Sequence, residues 1–303
     1  MPAYLTHKLA SIAALHDMDN TKIKKIVTDN MAEYLSGAQG ADFVYFDHFY
    51  FLPASYKTKI YGWLVHRARP AEYLVRACEY VKNHYTEKLM AYFCGYLNHY
   101  CLDKYIHAHV YRDSANLSAH TYLEQALDVM YANIYFHFDA REVNRKEELL
   151  HLITDADEIN AFHEYMASAV YEGYKLPPRA MERSYKWWSN AMRSIYKPSR
   201  LERFLLRIFN VFLSFDIYAF IYKTKEEVED LHDYDKYFRS IEKANAESVC
   251  YMQLLDDYIH GGRHISVLES AFYNINCLGK PINSSLKERM QFRLAYWKSP
   301  LIK

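Results

Sequence analysis

The run TEKLMAYFCGYLNHYCLDKYIHAHVY, residues 86–111, constrains this chain more than any other stretch. It reads as one long helix, and its apolar residues are so dense that the helix is predicted to be central. A buried helix has little reason to carry polar groups on one stripe unless something satisfies them. Yet His99, Asp103 and His107 recur at intervals of four, just over one turn, and project from one face. SAHTYLEQALDVMYANIY follows after a short loop and is predicted to pack antiparallel to it. That stretch repeats the spacing with His120 and Glu124. Imidazole and carboxylate on a shared stripe make a metal site, a proton relay or a hydrogen-bonded polar seam.

Spacing alone is a weak signal, because 15 histidines and 37 acidic residues supply about two H-x3-[DE] pairs by chance. Clustering is the stronger one. Two such pairs and His107 fall together on two helices expected to be neighbours. Neutral imidazole and carboxylate are the usual nitrogen and oxygen ligands of a divalent metal, which would satisfy the whole stripe at once.

The remaining chain also reads as helix. NTKIKKIVTDNMAEYLSG opens on a capping candidate, Asn20, and closes on Gly37. RPAEYLVRACEYVKNHY places Pro70 near a helix start. Further helices are predicted at KEELLHLITD, ADEINAFHEYMASAVYEGY and PRAMERSYKWWSNAMRSIY, and as a run from Lys225 to Ile259 ended by HGG. The most apolar window, Phe204 to Tyr222, contains Arg207, Asn210 and Asp216, which argues against a membrane span and for a buried helix, with a lipid-facing amphipathic helix as the second reading. Between helices, SGAQGADF suggests a tightly bent loop that turns Asp42 inward. No period-2 strand of any length is visible. The expected fold is all-α, a multi-helix bundle.

Only eight glycines and eight prolines in 303 residues agree with that class. Thirty tyrosines are expected to serve as core and groove lining. Lys plus Arg and Asp plus Glu both total 37, so no extended basic field marks a nucleic-acid track. The five cysteines form no CxxC pair and no framework, which suggests reduced thiols and a cytoplasmic setting. The first residues lack a basic segment followed by an apolar run and cleavage site, so no signal peptide is expected.

Read in order, THKL, GAQGADF, GWLVH, GYLNHYCLDKYIHA and HTYLE resemble the zinc-dependent phospholipase C family, which is related to the single-strand-specific zinc nucleases. The resemblance covers roughly residues 1–130 and implies an all-helical fold of that type and a cluster of zinc ions that cleaves phosphodiesters. It implies Asp42, His66, His99 and Asp103 as ligands of one zinc, and His107, His120 and Glu124 as ligands of a second. His7, sharing Asp103, would serve a third, so two ions are expected and a third is open. Asp42 is similar to the family aspartate that acts as general base and is the expected catalytic residue. Secreted members also use an N-terminal tryptophan that this chain lacks, and Ala41 stands where the family often has proline. The family's usual spacing after the aspartate points to His109. The His-Ala dipeptide instead favours His107, as does geometry, since His109 lies about 240° round the helix from Asp103.

These readings predict a single helical domain over 1–303, with 1–130 carrying the metal site and about 176–303 forming a C-terminal extension. The expected activity is metal-dependent hydrolysis of phosphoric esters, in the manner of a phospholipase C, by a metal-activated water. A phosphoester substrate, with phospholipid among the candidates, is the expected partner. Asp128, one turn beyond Glu124, is a candidate to orient an imidazole or to serve as a capping acid. His16, His48, His84 and His163 are expected to be surface or satisfied core groups. Two other readings stay open: a non-catalytic helical metal-binding protein, and a di-iron carboxylate bundle oxidoreductase built on Glu148/His151 and Glu229/His232.

Overall fold

The computed structural model describes residues 4–48, 56–143, 156–196, 200–210, 216–272 and 274–282. Twelve α-helices carry most of them: α1 Tyr4–His16, α2 Thr21–Asp29, α3 Met31–Gly37, α4 Tyr56–Arg67, α5 Pro70–Asn83, α6 Glu87–Asp113, α7 Leu117–Phe136, α8 Ala156–Val170, α9 Ala180–Tyr196, α10 Arg200–Asn210, α11 Asp235–Ile259 and α12 Ser266–Ala271. Among the described residues there is no strand, only an isolated antiparallel bridge between Ile275 and Pro281. None of the described helices is long and apolar enough to cross a membrane.

Helix α6 is the axis of the molecule, as its apolar density predicts. Thr86 starts it by accepting the Leu89 N–H at 2.9 Å, and nearly all residues from Leu89 to Leu102 are buried. Two glycines let α3 cross it with backbones in contact. A Cβ at Gly37 would fall 1.8 Å from the Tyr92 carbonyl oxygen, and one at Gly95 would fall 2.0 Å from that of Tyr34. Only glycine allows that approach, and it draws the loop after α3 against the middle of α6.

Helix α11 packs along α6. Asn98 ties three helices together: its Oδ1 accepts from Ser11 Oγ at 2.7 Å, and its Nδ2 donates to Ser248 Oγ at 2.9 Å. Lys104 forms a half-buried ion pair with Glu247. One continuous apolar cluster runs from Tyr4 to Cys277. Tyrosines fill much of it, with Tyr34, Tyr61, Tyr73, Tyr92, Tyr96, Tyr100 and Tyr237 fully enclosed.

Several expected elements differ in the structure. The segment 20–37 is two helices, because the Asn30 side chain takes the Ile26 carbonyl at 2.8 Å and competes with the helical ladder. Asn20 does cap the first of them, accepting from the Lys22 and Ile23 N–H groups. The run from Lys225 begins as turns, folded back where Tyr234 Oη donates to the Val228 carbonyl at 2.7 Å, and becomes helical only at Asp235. KEELLHLITD lies outside the described residues, and so does the Glu148/His151 pair. Glu229 and His232 sit in those turns, so their spacing puts them on no common helical face.

The described part of the window from Phe204 is not the expected buried helix. Helix α10, described over Arg200–Asn210, leaves Phe204 57 % exposed, with Leu205 and Ile208 beside it, and residues 211–215 lie outside the described ones. Apolar content at three-to-four spacing defines a face but does not say whether the fold covers it. Asn210 Nδ2 instead donates to Asp216, which caps the next short turn through the Tyr218 N–H.

Candidate metal centre

Four helices and one loop converge on a buried pocket of histidines and carboxylates. α6 supplies His99, Asp103 and His107, spaced one turn apart. α1 supplies His7, α4 supplies His66 and α7 supplies His120 and Glu124. Asp42 opens a 3₁₀ turn, Asp42–Phe46, directly after the loop that the glycine crossing holds against α6. All eight are buried.

Gly40 sets the distance between that loop and α6. It takes φ +56°, and a Cβ there would overlap the His99 ring at 2.0 Å. The left-handed backbone and the close approach both require glycine.

Asp103 stands at the centre. Its Oδ1 lies 3.4 Å from His7 Nε2. Its Oδ2 lies 3.4 Å from His66 Nε2, 3.5 Å from His99 Nε2 and 3.5 Å from His107 Nδ1. Ligand atoms of His7, Asp42, His99 and Asp103 all fall within 4.8 Å of one another, and so do those of His107, His120 and Glu124. His66 joins the first group through Asp42, at 2.8 Å. His7 is among the first of these groups. His109 points elsewhere: its Nδ1 contacts Arg112 at 3.0 Å and its ring packs on Tyr237.

The protonation pattern suits metal ligation. His66 Nδ1 faces the Gly62 carbonyl at 2.6 Å, and His107 Nδ1 faces the Cys277 carbonyl at 2.8 Å. A carbonyl only accepts, so each Nδ1 carries a proton and, in the neutral ring, each Nε2 offers its lone pair to the pocket. Both ring nitrogens of His99, Nδ1 of His7 and Oδ2 of Asp103 are buried without a hydrogen-bond partner among the described residues. Such orphaned groups are costly. A nitrogen- and oxygen-only donor set of this kind fits zinc with open coordination positions, not the closed, cysteine-rich pattern of a structural site.

The pocket's electrostatics divide the histidines. Burial works against the His66 cation, but Asp42 and Asp103 outweigh it and push the ring up to about 10. Burial wins at His99, whose ring is pushed down to about 4 despite the same two carboxylates. Burial also opposes the charges of Asp42 and Asp103, yet neighbouring imidazoles hold both below the usual carboxylate range: His66 and His99 for Asp42, His107 and His99 for Asp103.

Asp128 does not touch the imidazoles. It is fully buried and accepts the Leu5 N–H at 3.1 Å, the Thr6 N–H at 2.6 Å and the Tyr222 hydroxyl at 2.5 Å. It therefore caps the start of α1 and fixes the helix that carries His7. His163 is a core group, its ring between Tyr61 Oη at 2.7 Å and Tyr92 Oη at 2.6 Å. His16 and His84 are exposed. His48 pairs with Asp47, which also receives both Nε and Nη2 of Arg183.

Tyr111, Arg67 and Lys280 carried no role in the sequence-based expectations. The half-exposed Tyr111 ring lies 5.0 Å from that of His120 and 5.5 Å from that of His107. Lys280 Nζ stands 5.6 Å from the Tyr111 ring centre. Burial pushes the Tyr111 hydroxyl up to about 12, against the pull of the Arg67 charge. Arg67 follows His66 directly and was legible as a neighbour of a candidate ligand. Lys280 lies far along the chain and carried no such signal.

A family model described as zinc dependent phospholipase C matches residues 6–176, more than half of the chain and wider than the stretch that the motifs suggest. All eight pocket residues fall inside it. Searches of curated proteins and of solved structures return no match.

Proposed function

The chain belongs to the zinc dependent phospholipase C family, and from that premise we propose that it hydrolyses phosphoric esters, with the phosphodiester of a phospholipid as the substrate class. The observation that carries this reading is Asp103, one carboxylate among four imidazoles, linking a group of nitrogen and oxygen donors around Asp42 to a second around Glu124. We assign His7, Asp42, His66, His99 and Asp103 to the first group and His107, His120 and Glu124 to the second.

Bound zinc would supply Lewis acidity toward a phosphoryl oxygen and lower the pKa of a water to near neutrality. The protein's residues do the rest. Gly62 and Cys277 aim the lone pairs of His66 and His107 inward through their carbonyls. Asp42, ionised beside His66, takes the proton of the attacking water as general base. Arg67, next to His66 in the chain, and Lys280, beside the exposed Tyr111 ring, offer cations to the phosphoryl oxygens. The five free cysteines suit a reducing compartment, and we place the protein in the cytoplasm.

The test is elemental analysis of protein purified without chelator, with a chromogenic phosphodiester assay and a phosphatidylcholine vesicle assay on the same sample. Stoichiometric zinc and hydrolysis abolished by chelator are expected. Zinc without hydrolysis of either substrate overturns the catalytic reading, and no transition metal overturns the metal reading.

A further inference from the structure

The carbonyl that orients His107 comes from Cys277, about a hundred residues beyond the end of the family match. We propose that the turn formed by residues 274–282 is a working part of the metal centre, with Cys277 and Gly279 as positioning residues that make the His107–His120–Glu124 group competent to bind zinc. The inference rests on the metal reading above and extends it to a segment that the family match does not reach.

The turn is built to hold one carbonyl in one place. Asn276 Oδ1 accepts from both the Leu278 N–H at 3.1 Å and the Lys280 N–H at 3.0 Å. The Asn276 N–H donates to the Lys280 carbonyl at 3.0 Å, and the Ile282 N–H to that of Asn274 at 2.8 Å. Asn276, Cys277 and Leu278 are buried although they lie in a loop. Two anchors pin this small knot to the central helices. Tyr100 Oη, on α6, donates to the Ile275 carbonyl at 2.8 Å. Gly279, at φ +67°, rests on α6 so closely that a Cβ would come 2.7 Å from Ala108 Cβ and 2.8 Å from the Lys104 carbonyl oxygen.

The consequence for His107 is specific. Its ring stands between acceptors on both sides. Nε2 faces Glu124 Oε1 at 3.3 Å, and Nδ1 faces both the Cys277 carbonyl at 2.8 Å and Asp103 Oδ2 at 3.5 Å. With Nδ1–H donated to a carbonyl, the Nε2 lone pair points to His120 and Glu124, where the second group of donors lies. Without that carbonyl, the ring can rotate or take the other tautomer and send its proton toward Glu124. The turn therefore selects between a ligand and a hydrogen-bond donor at the same position.

The experiment compares wild type with Gly279→Val, which lifts the turn from α6, and Asn276→Ala, which loosens it without adding bulk. Gly262→Val is the control, since Gly262 also has positive φ (+71°) but faces open space, with nothing within 4 Å of where a Cβ would stand. Metal-free protein is titrated with zinc alone, while imidazole nitrogen NMR follows His107. Expected in the zinc-bound protein are Nδ1–H and an unprotonated Nε2 at His107 in wild type and in Gly262→Val, and loss or mixing of that state in Asn276→Ala and Gly279→Val. The latter two should bind zinc at His107 about 10–100-fold more weakly, while the signals of His66 and His99 still respond as in wild type. A Gly279→Val protein that fails to fold leaves Asn276→Ala to carry the comparison. Wild-type tautomer and zinc affinity at His107 in Asn276→Ala and in folded Gly279→Val overturn the role of the turn alone. Wild-type protein that binds no zinc overturns the metal reading, and this one with it.

Discussion

His66 Nε2 lies 2.8 Å from Oδ1 of Asp42, while the Nδ1–H of the same ring is committed to the Gly62 carbonyl at 2.6 Å. This pair joins the end of α4 to the loop beyond α3, two segments that share no local contact in sequence. Its geometry admits only a proton or a cation between nitrogen and oxygen. The same requirement holds around Asp103, so the pocket as a whole is a set of electron pairs aimed at shared positive charge.

Asp42→Asn tests that relationship while keeping the side chain's shape. The amide removes the negative charge that holds the His66 ring up and cannot accept a water's proton. Zinc content should fall at the first group, and phosphodiester hydrolysis should drop by about 100-fold or more. Unchanged turnover with full zinc would remove Asp42 from the catalytic role.

The His/Asp/Glu pattern was readable because helical spacing converts sequence intervals into a shared face, and His99, Asp103 and His107 depend on nothing else. The Asn20 cap was readable for a similarly local reason. What sequence did not reveal depends on backbone placed by distant packing. The carbonyls of Gly62 and Cys277 have no side-chain signature. The crossing at Gly37 and Gly95 needs two helices at once, and a glycine at a helix end reads first as a stop. The exposure of Phe204 and Leu205 was misread because periodicity marks a face without saying what covers it.

Gly40→Ala should separate the loop from α6. The residue holds φ +56°, and the added methyl would overlap the His99 ring at 2.0 Å. Strain of about 1–3 kcal/mol is expected from the backbone and the displaced ring together. Denaturant unfolding of the metal-free protein measures it, and zinc titration should show weaker binding at the first group. Wild-type stability and zinc affinity would mean that the Gly40–His99 contact sets nothing.

Asp128→Ala should act on His7 without touching it. The substitution strands the Leu5 and Thr6 N–H groups and the Tyr222 hydroxyl, all directed at one carboxylate. The expected cost is about 2–4 kcal/mol, since buried donors lose a charged acceptor. Hydrogen exchange should rise first in the opening turn of α1, and a loss spread evenly over the molecule would contradict the capping role.

His163 should make the protein acid-sensitive in a defined window. Burial pushes its ring down to about 3, and both nitrogens are occupied by Tyr61 and Tyr92. The unfolded chain binds a proton there near pH 6.5 and the folded chain does not, so the unfolded state gains protons as pH falls below 6.5. Stability from this group is complete above that value, declines through the window and levels off near pH 3. At pH 4.5 the loss is about 3 kcal/mol, two pH units at about 1.4 kcal/mol each. His163→Gln keeps one donor and one acceptor for the two tyrosines but cannot titrate. Its unfolding free energy should therefore start lower at pH 7 and fall less steeply than wild type between pH 6.5 and 4.5. Parallel pH profiles for the two proteins would show that His163 is already protonated in the folded core.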